Sequence, residues 1–136
     1  MSDDCSSINY EPIINKNIIY LMNEEKTGVI RIDPFNGCTC QAHIATLPEL
    51  WGRANQFVKE ALCWGFTYTR YLKVIAFIPI FNRLAIQLVK NNGFREEGCI
   101  LKSFLKNWKL HNLLVFGLTK ESFLTENISC RQLPVL

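Results

Sequence analysis

Apolar and polar positions alternate with a short period in the first third of the chain, and turn residues punctuate them. Residues 17–22 form a short apolar run, residues 29–33 alternate apolar with polar, and residues 38–45 make a third segment of strand character. Asn23-Glu24-Glu25-Lys26-Thr27-Gly28 and Pro34-Phe35-Asn36-Gly37 separate them as polar turns. Such short connections predict an antiparallel meander. The period then lengthens. Ala54, Phe57, Val58, Ala61, Leu62 and Gly65 recur at the spacing of one helix face, predicting a helix over residues 50–66. Residues 71–78 are densely apolar and β-branched, the mark of a buried strand, and Pro79 ends it. A second helix carries Ala85, Leu88 and Val89 on one face and stops at Asn92-Gly93-Phe94, where Gly93 can adopt the left-handed conformation that closes a helix. Residues 97–105 and 113–118 read as two further strands joined by residues 107–112, and a helical turn follows Glu121. The order β-β-β-α-β-α-β-β predicts an α/β (α+β) fold. Its sheet is mixed and mostly antiparallel, with a central βαβ crossover and helices on its faces. Residues 1–16 read as a loose leader, residues 17–124 as one domain and residues 125–136 as an irregular tail.

Composition narrows the class. A chain of 136 residues, 49% hydrophobic and 20% charged, suits one packed domain rather than a disordered segment. Its net charge of +3 admits an anionic ligand, but no long basic run marks a nucleic-acid surface. The longest apolar run, residues 74–81, is too short to span a bilayer. The start, Met1-Ser2-Asp3-Asp4-Cys5, is too acidic for a signal peptide. The six cysteines are therefore expected to be reduced thiols in a cytoplasmic protein. Cys38, Cys40 and His43 could be drawn as metal ligands. The strand reading is preferred, because Cys38 and Cys40 fall on one strand face and the chain's other histidine is the distant His111; no metal is expected.

The chemistry-bearing stretch is Leu47-Pro48-Glu49-Leu50-Trp51-Gly52-Arg53-Ala54, between a strand and an amphipathic helix. Such a junction directs free backbone N–H groups and the positive end of the helix dipole at one spot, which suits a pyrophosphate. Gly52 would let the main chain approach the phosphates, Arg53 would add charge, and Asn55 and Gln56 offer polar contacts. A plain helix start with a tolerated glycine accounts for the same residues equally well.

Pro48-Glu49-Leu50-Trp51-Gly52-Arg53-Ala54 resembles the P-E-x-W-G-K/R-G/A coenzyme A loop of GNAT acetyltransferases, in the branch that acetylates ribosomal-protein N-termini and related amines. The segment from Asn82 to Phe94 is similar to that branch's N-x-x-S-x-x-x-x-x-x-x-G-F, and Glu96, Glu97 and Gly98 to the E-x-G that follows. Leu113 to Leu118 resembles the last core strand, so the likeness runs from about Asn17 to Phe123. The resemblance implies an acyl-coenzyme A site in a V-shaped gap between the strands of residues 38–45 and 71–78. Ile44, Ala45 and Thr46 would contact the pantetheine arm by their backbone. Trp51, Gly52, Arg53, Ala54 and Asn55 would hold the pyrophosphate, and Asn82 the pantetheine or its phosphate end. It also implies acetyl transfer from acetyl-CoA to an amine by direct attack.

Four features depart from that pattern. Glu49 puts a carboxylate near the phosphates. Ala85 replaces the helix serine. Val89 stands where many members carry the tyrosine that protonates the departing thiolate, and neither Ala85 nor Val89 can donate a proton. The N-terminal helices that build the amine side are reduced or missing before Asn17. For a general base, Gln41 occupies the approximate place of a strand carboxylate, and His43, placed one face over, could take a proton from an amine. A hydrogen-bonded strand histidine and a solvated loop residue are the plain alternatives for His43 and His111. Cys63 is read as core. The chain also resembles small GNAT-like proteins of short-tailed bacteriophages, some connected with head assembly. That would imply a non-catalytic partner-binding role in a host cytoplasm. Edge pairing of the sheet would make a homodimer.

Overall fold

The alternating first third is realised as strands around Asn-rich turns. In the computed structural model, which describes residues 8–12 and 17–127, strands β2 (Ile19–Asn23), β3 (Gly28–Pro34) and β4 (Thr39–Thr46) form the expected antiparallel meander. The first turn is held by Asn23, whose side-chain oxygen accepts from the backbone N–H of Thr27 and of Gly28, each at 2.9 Å. The second is held by Asn36, whose side chain accepts from the N–H of Cys38 and Thr39. These are side-chain substitutes for backbone turn bonds. One correction falls before them: Ile8–Pro12, expected within a loose leader, are strand β1, paired antiparallel with β2.

After β4 a 3-10 turn (Pro48–Arg53) runs directly into helix α1 (Ala54–Tyr68), then strand β5 (Lys73–Pro79) lies parallel to β4. Helix α2 (Arg83–Asn91) follows, capped at its start by Asn82 and closed by Gly93 at φ +91°. The N–H of Phe94 bonds the carbonyl of Val89 and that of Gly93 the carbonyl of Lys90, so the left-handed glycine closes the helix as its sequence predicted. Strands β6 (Arg95–Lys106) and β7 (Lys109–Thr119) form a long hairpin, and helix α3 (Lys120–Glu126) ends the described chain. The connection expected over residues 107–112 shrinks to Asn107 and Trp108. Both adopt positive φ, 52° and 64°, and so turn the chain in two residues. Thr125 and Glu126, expected in an irregular tail, close α3; residues 128–136 lie outside the described residues.

Among the described residues the sheet has seven strands in the order β1-β2-β3-β4-β5-β7-β6, with β4–β5 its parallel pair. Alternation sorts each strand into two faces. Leu21, Ile30, Ile32, Cys40, Val74, Ala76, Ile78, Phe116 and Leu118 join one buried cluster with Phe57, Val58, Ala61 and Phe66 of α1, Val89 of α2 and Phe123 of α3. The ring of Phe123 sits 5.5 Å from that of Phe66 and pins α3 against α1. Burial of each large side chain here contributes about 1.5–3 kcal/mol. Cys63 of α1 is disulfide-bonded, so the expectation of reduced thiols does not hold for it. No helix among the described residues is long and apolar enough to cross a membrane.

Candidate functional site

The sheet splits in its middle. β4 and β5 pair at Thr39↔Lys73, Cys40↔Val74 and Gln41↔Ile75, and there the ladder stops. On the outer sides pairing continues to the strand ends, β3 with β4 as far as Gly28↔Thr46 and β5 with β7 as far as Pro79↔Leu113. Each strand is thus held by its other neighbour while the two inner edges diverge. Their backbone groups past Gln41 and Ile75 are left without ladder partners, and an extended ligand arm can use them as a strand would.

Two adjoining hollows occupy this gap. The inner one, about 190 Å³, is bounded by Ala42, His43 and Ile44 of β4, Phe77 and Ile78 of β5, and Ala85 and Val89 of α2. The outer one, about 210 Å³, is bounded by Thr46, Trp51, Gly52, Ala54, Asn55 and the α2 residues Leu84, Gln87 and Asn91. Ile44, Asn82, Ala85 and Leu88 line both, so the two are continuous. The inner part is apolar and the outer part rimmed with amides, which suits a ligand with a thin apolar arm and a polar head.

Seven of the expected binding residues come together on these walls: Ile44, Thr46, Trp51, Gly52, Ala54, Asn55 and Asn82. A Cβ built on Gly52 would meet nothing within 4 Å, so its missing side chain leaves the hollow open. Asn82 has a second task. Its side-chain oxygen caps α2 by accepting from the N–H of Ala85 at 3.1 Å. Two expected residues are elsewhere. Ala45 opposes Val29, and alternation turns its side chain away from the hollows when those of Ile44 and Thr46 turn in, whereas the contact expected of it is through its backbone. Arg53 points to Glu25, 2.7 Å from its carboxylate, in an exposed pair. The expected open loop is itself a 3-10 turn, whose internal bonds use N–H groups that an open loop would leave free. Glu49 is exposed and absent from the walls, so its carboxylate does not crowd the hollow. Leu84, Gln87 and Asn91 were not anticipated. Their signal was the same helical spacing, with Gln87 donating to Asn91 at 2.8 Å.

His43 and Gln41 share one face of β4, as residues two apart must; the placement of His43 one face over is corrected. Across from them on β3 lie Arg31, opposite His43, and Asp33, opposite Gln41. The His43 ring nitrogen Nε2 is 3.6 Å from Asp33 Oδ2, and Arg31 reaches the same oxygen at 3.0 Å. Partial burial, then the Arg31 charge, hold the His43 pKa below its usual value, while Asp33 opposes them. His43 is accordingly neutral at neutral pH and able to accept a proton. Gln41 is not on the walls of the gap. His111 packs edge-on against Phe81 at 4.9 Å, away from both hollows. Cys40 faces the helices and His43 the opposite side, so the two do not converge, and no cluster of metal-binding side chains occurs among the described residues.

No protein-family model matches the chain. It is 25% identical over 107 residues to the spermidine N(1)-acetyltransferase of Escherichia coli (strain K12), over 76% of this chain and 58% of that protein. The chain thus spans little more than half the length of that curated relative. Among solved structures it is similar to the spermidine N-acetyltransferase of Vibrio cholerae in complex with CoA and spermine. The TM-score is 0.69 at 21% identity, with 79% of this chain and 67% of that one covered. The Vibrio cholerae spermidine/spermine N-acetyltransferase in complex with manganese ions gives a TM-score of 0.69 at 21% identity, over 80% and 68%. The chain has the fold of these GNAT acetyltransferases.

Proposed function

We propose that this protein transfers an acetyl group from acetyl-CoA to a primary amine. The observation that carries the reading is the parting of β4 and β5 after Gln41 and Ile75, with a continuous hollow leading from the gap to Trp51, Gly52 and Asn55. The pantetheine arm would lie in the gap as an extra strand, and the diphosphate at the outer end. There Gly52 leaves room, Asn55 and the Asn82 amide supply donors, and the start of α1 supplies a favourable dipole. The matched relative acts on spermidine, which favours an amine acceptor, and a branch acting on protein N-termini is the other acceptor class that the motif suggests.

His43 takes the proton. The amine nitrogen bonds to the thioester carbonyl carbon as its N–H proton passes to the imidazole, then the carbon–sulfur bond breaks and coenzyme A leaves. No side-chain donor stands at Ala85 or Val89. The thiolate receives its proton from His43 or water, a modest demand because a free thiol has a pKa of about 8.5. The test is thermal unfolding with and without acetyl-CoA, followed by thiol release with a panel of amines. A cofactor at about 100 times its Kd should stabilise the fold by about 2.7 kcal/mol. An unshifted midpoint and no thiol release would sink the reading.

A second reading, binding of a protein partner, has one observation in its favour. The β6–β7 hairpin exposes Leu101, Leu105, Leu110 and Trp108, the last 96% exposed, beside an edge strand with one side unpaired. A second copy pairing along β6 would cover them. Sedimentation of the purified protein decides this: a monomer at all concentrations rules out the homodimer.

A further inference from the structure

Asp33 is more than a neighbour of His43. It stands two residue pairs further along the β3–β4 ladder, on the same face, where Arg31 opposes His43 and Asp33 opposes Gln41. Oδ2 of Asp33 takes Arg31 Nε at 3.2 Å and Nη2 at 3.0 Å, with His43 Nε2 at 3.6 Å. Its other oxygen, Oδ1, is buried and has no hydrogen-bond partner among the described residues. A buried acceptor left bare costs about 1–3 kcal/mol, so the ladder alone is a poor reason to keep a carboxylate here.

The other residues around the imidazole cannot do this work. Gln41 carries no charge. Phe77, across the gap, is apolar, and Lys73, the charged residue of β5, is held by Glu97 at 2.9 Å. The helices pack on the opposite face. Among the described residues, Arg31 and Asp33 are thus the charges that act on the ring, and they act in opposite senses.

We infer that Asp33, anchored by Arg31, is the positioning residue of His43: it attracts the N–H of Nε2 and leaves Nδ1 free to take the proton from the attacking amine. This rests on the acetyl-transfer reading, and the orientation of the ring follows from the geometry of β3 and β4 alone. When the amine proton arrives, both ring nitrogens carry hydrogen and the imidazolium gains the Asp33 carboxylate as counter-charge. No proton needs to pass on to Asp33.

The experiment follows the His43 ring by NMR titration in wild type, Asp33→Asn and Arg31→Gln, and records the pH dependence of amine acetylation in the same proteins. Asp33→Asn should lower the His43 midpoint by about one pH unit, and Arg31→Gln should raise it by a similar amount. A role confined to ladder stability would not move the midpoint in opposite directions. Acetylation should fall about tenfold in Asp33→Asn, and Asp33→Asn with His43→Gln should be no slower than His43→Gln alone. Acetyl-CoA affinity should stay unchanged in Asp33→Asn and Arg31→Gln, neither of which lines the hollows. Midpoints that do not move, or fully additive losses, overturn the assignment. If the wild type acetylates no amine, the functional reading fails, while the titration still decides whether Asp33 governs the ring.

Discussion

Gln41 of β4 lies opposite Ile75 of β5, and that is the last pairing between the two strands. Two residues further along, His43 and Phe77 bound a gap rather than a ladder. The acetyl-transfer reading depends on that break. Its floor is apolar, its rim carries amides, and a histidine stands at its edge.

Gly52 is the point where bulk should separate binding from folding. An added Cβ meets nothing within 4 Å, so Gly52→Leu should change stability by no more than about 0.5 kcal/mol. Its side chain would fill the outer hollow and weaken acetyl-CoA by at least about tenfold, or about 1.4 kcal/mol. Calorimetric titration beside urea unfolding checks both; equal affinity would mean that the ligand does not pass Gly52.

Asn82 serves the helix with its oxygen and the gap with its amide. Asn82→Ala should lose about 1 kcal/mol of stability as the cap disappears. Asn82→Asp keeps a capping oxygen but removes the amide donors and sets a negative charge at the hollow. It should fold like the wild type and bind acetyl-CoA more weakly than Asn82→Ala does. The reverse order of affinities would confine Asn82 to capping.

The free thiols differ sharply in environment. Burial pushes the Cys40 thiol up to about 12, whereas Cys38 and Cys99 are exposed. Iodoacetamide near neutral pH should therefore label Cys38 and Cys99 well before Cys40, as mass spectrometry of the peptides would report. The shift is upward, so the stability contributed by the buried neutral thiol is complete below about 9, its unfolded value. It is lost as pH rises from there towards 12. Denaturant midpoints should decline over that alkaline window, and Cys40→Ala should flatten the decline.

Trp108 holds a left-handed conformation, φ 64°, with its indole almost fully in solvent. An aromatic residue there costs about 1–2 kcal/mol relative to glycine and buries nothing in the chain itself. Trp108→Gly should raise stability by about 1 kcal/mol in urea unfolding. If the hairpin joins two copies, the same change should weaken their association in sedimentation. A variant less stable than the wild type would mean that the indole packs within its own chain.

Periodicity, turn chemistry and caps are properties of neighbouring residues, and they were legible in the chain. The meander with its Asn23 and Asn36 turns, the face of α1, the glycine closure at Gly93 and the order of elements from Ile19 to Thr119 all follow from spacing a few residues long. The motif around Trp51 and Gly52 lies at the junction that walls the outer hollow. Three features needed the folded chain, because they depend on residues far apart in sequence. The split between β4 and β5 arises where each strand is held by a different outer neighbour. Arg53 turns to Glu25, twenty-eight residues away, instead of to the hollow. Asp33 meets His43 only because the register of β3 on β4 brings them to one face. Local pattern set which elements form, and long-range pairing decided where they part and which charges meet.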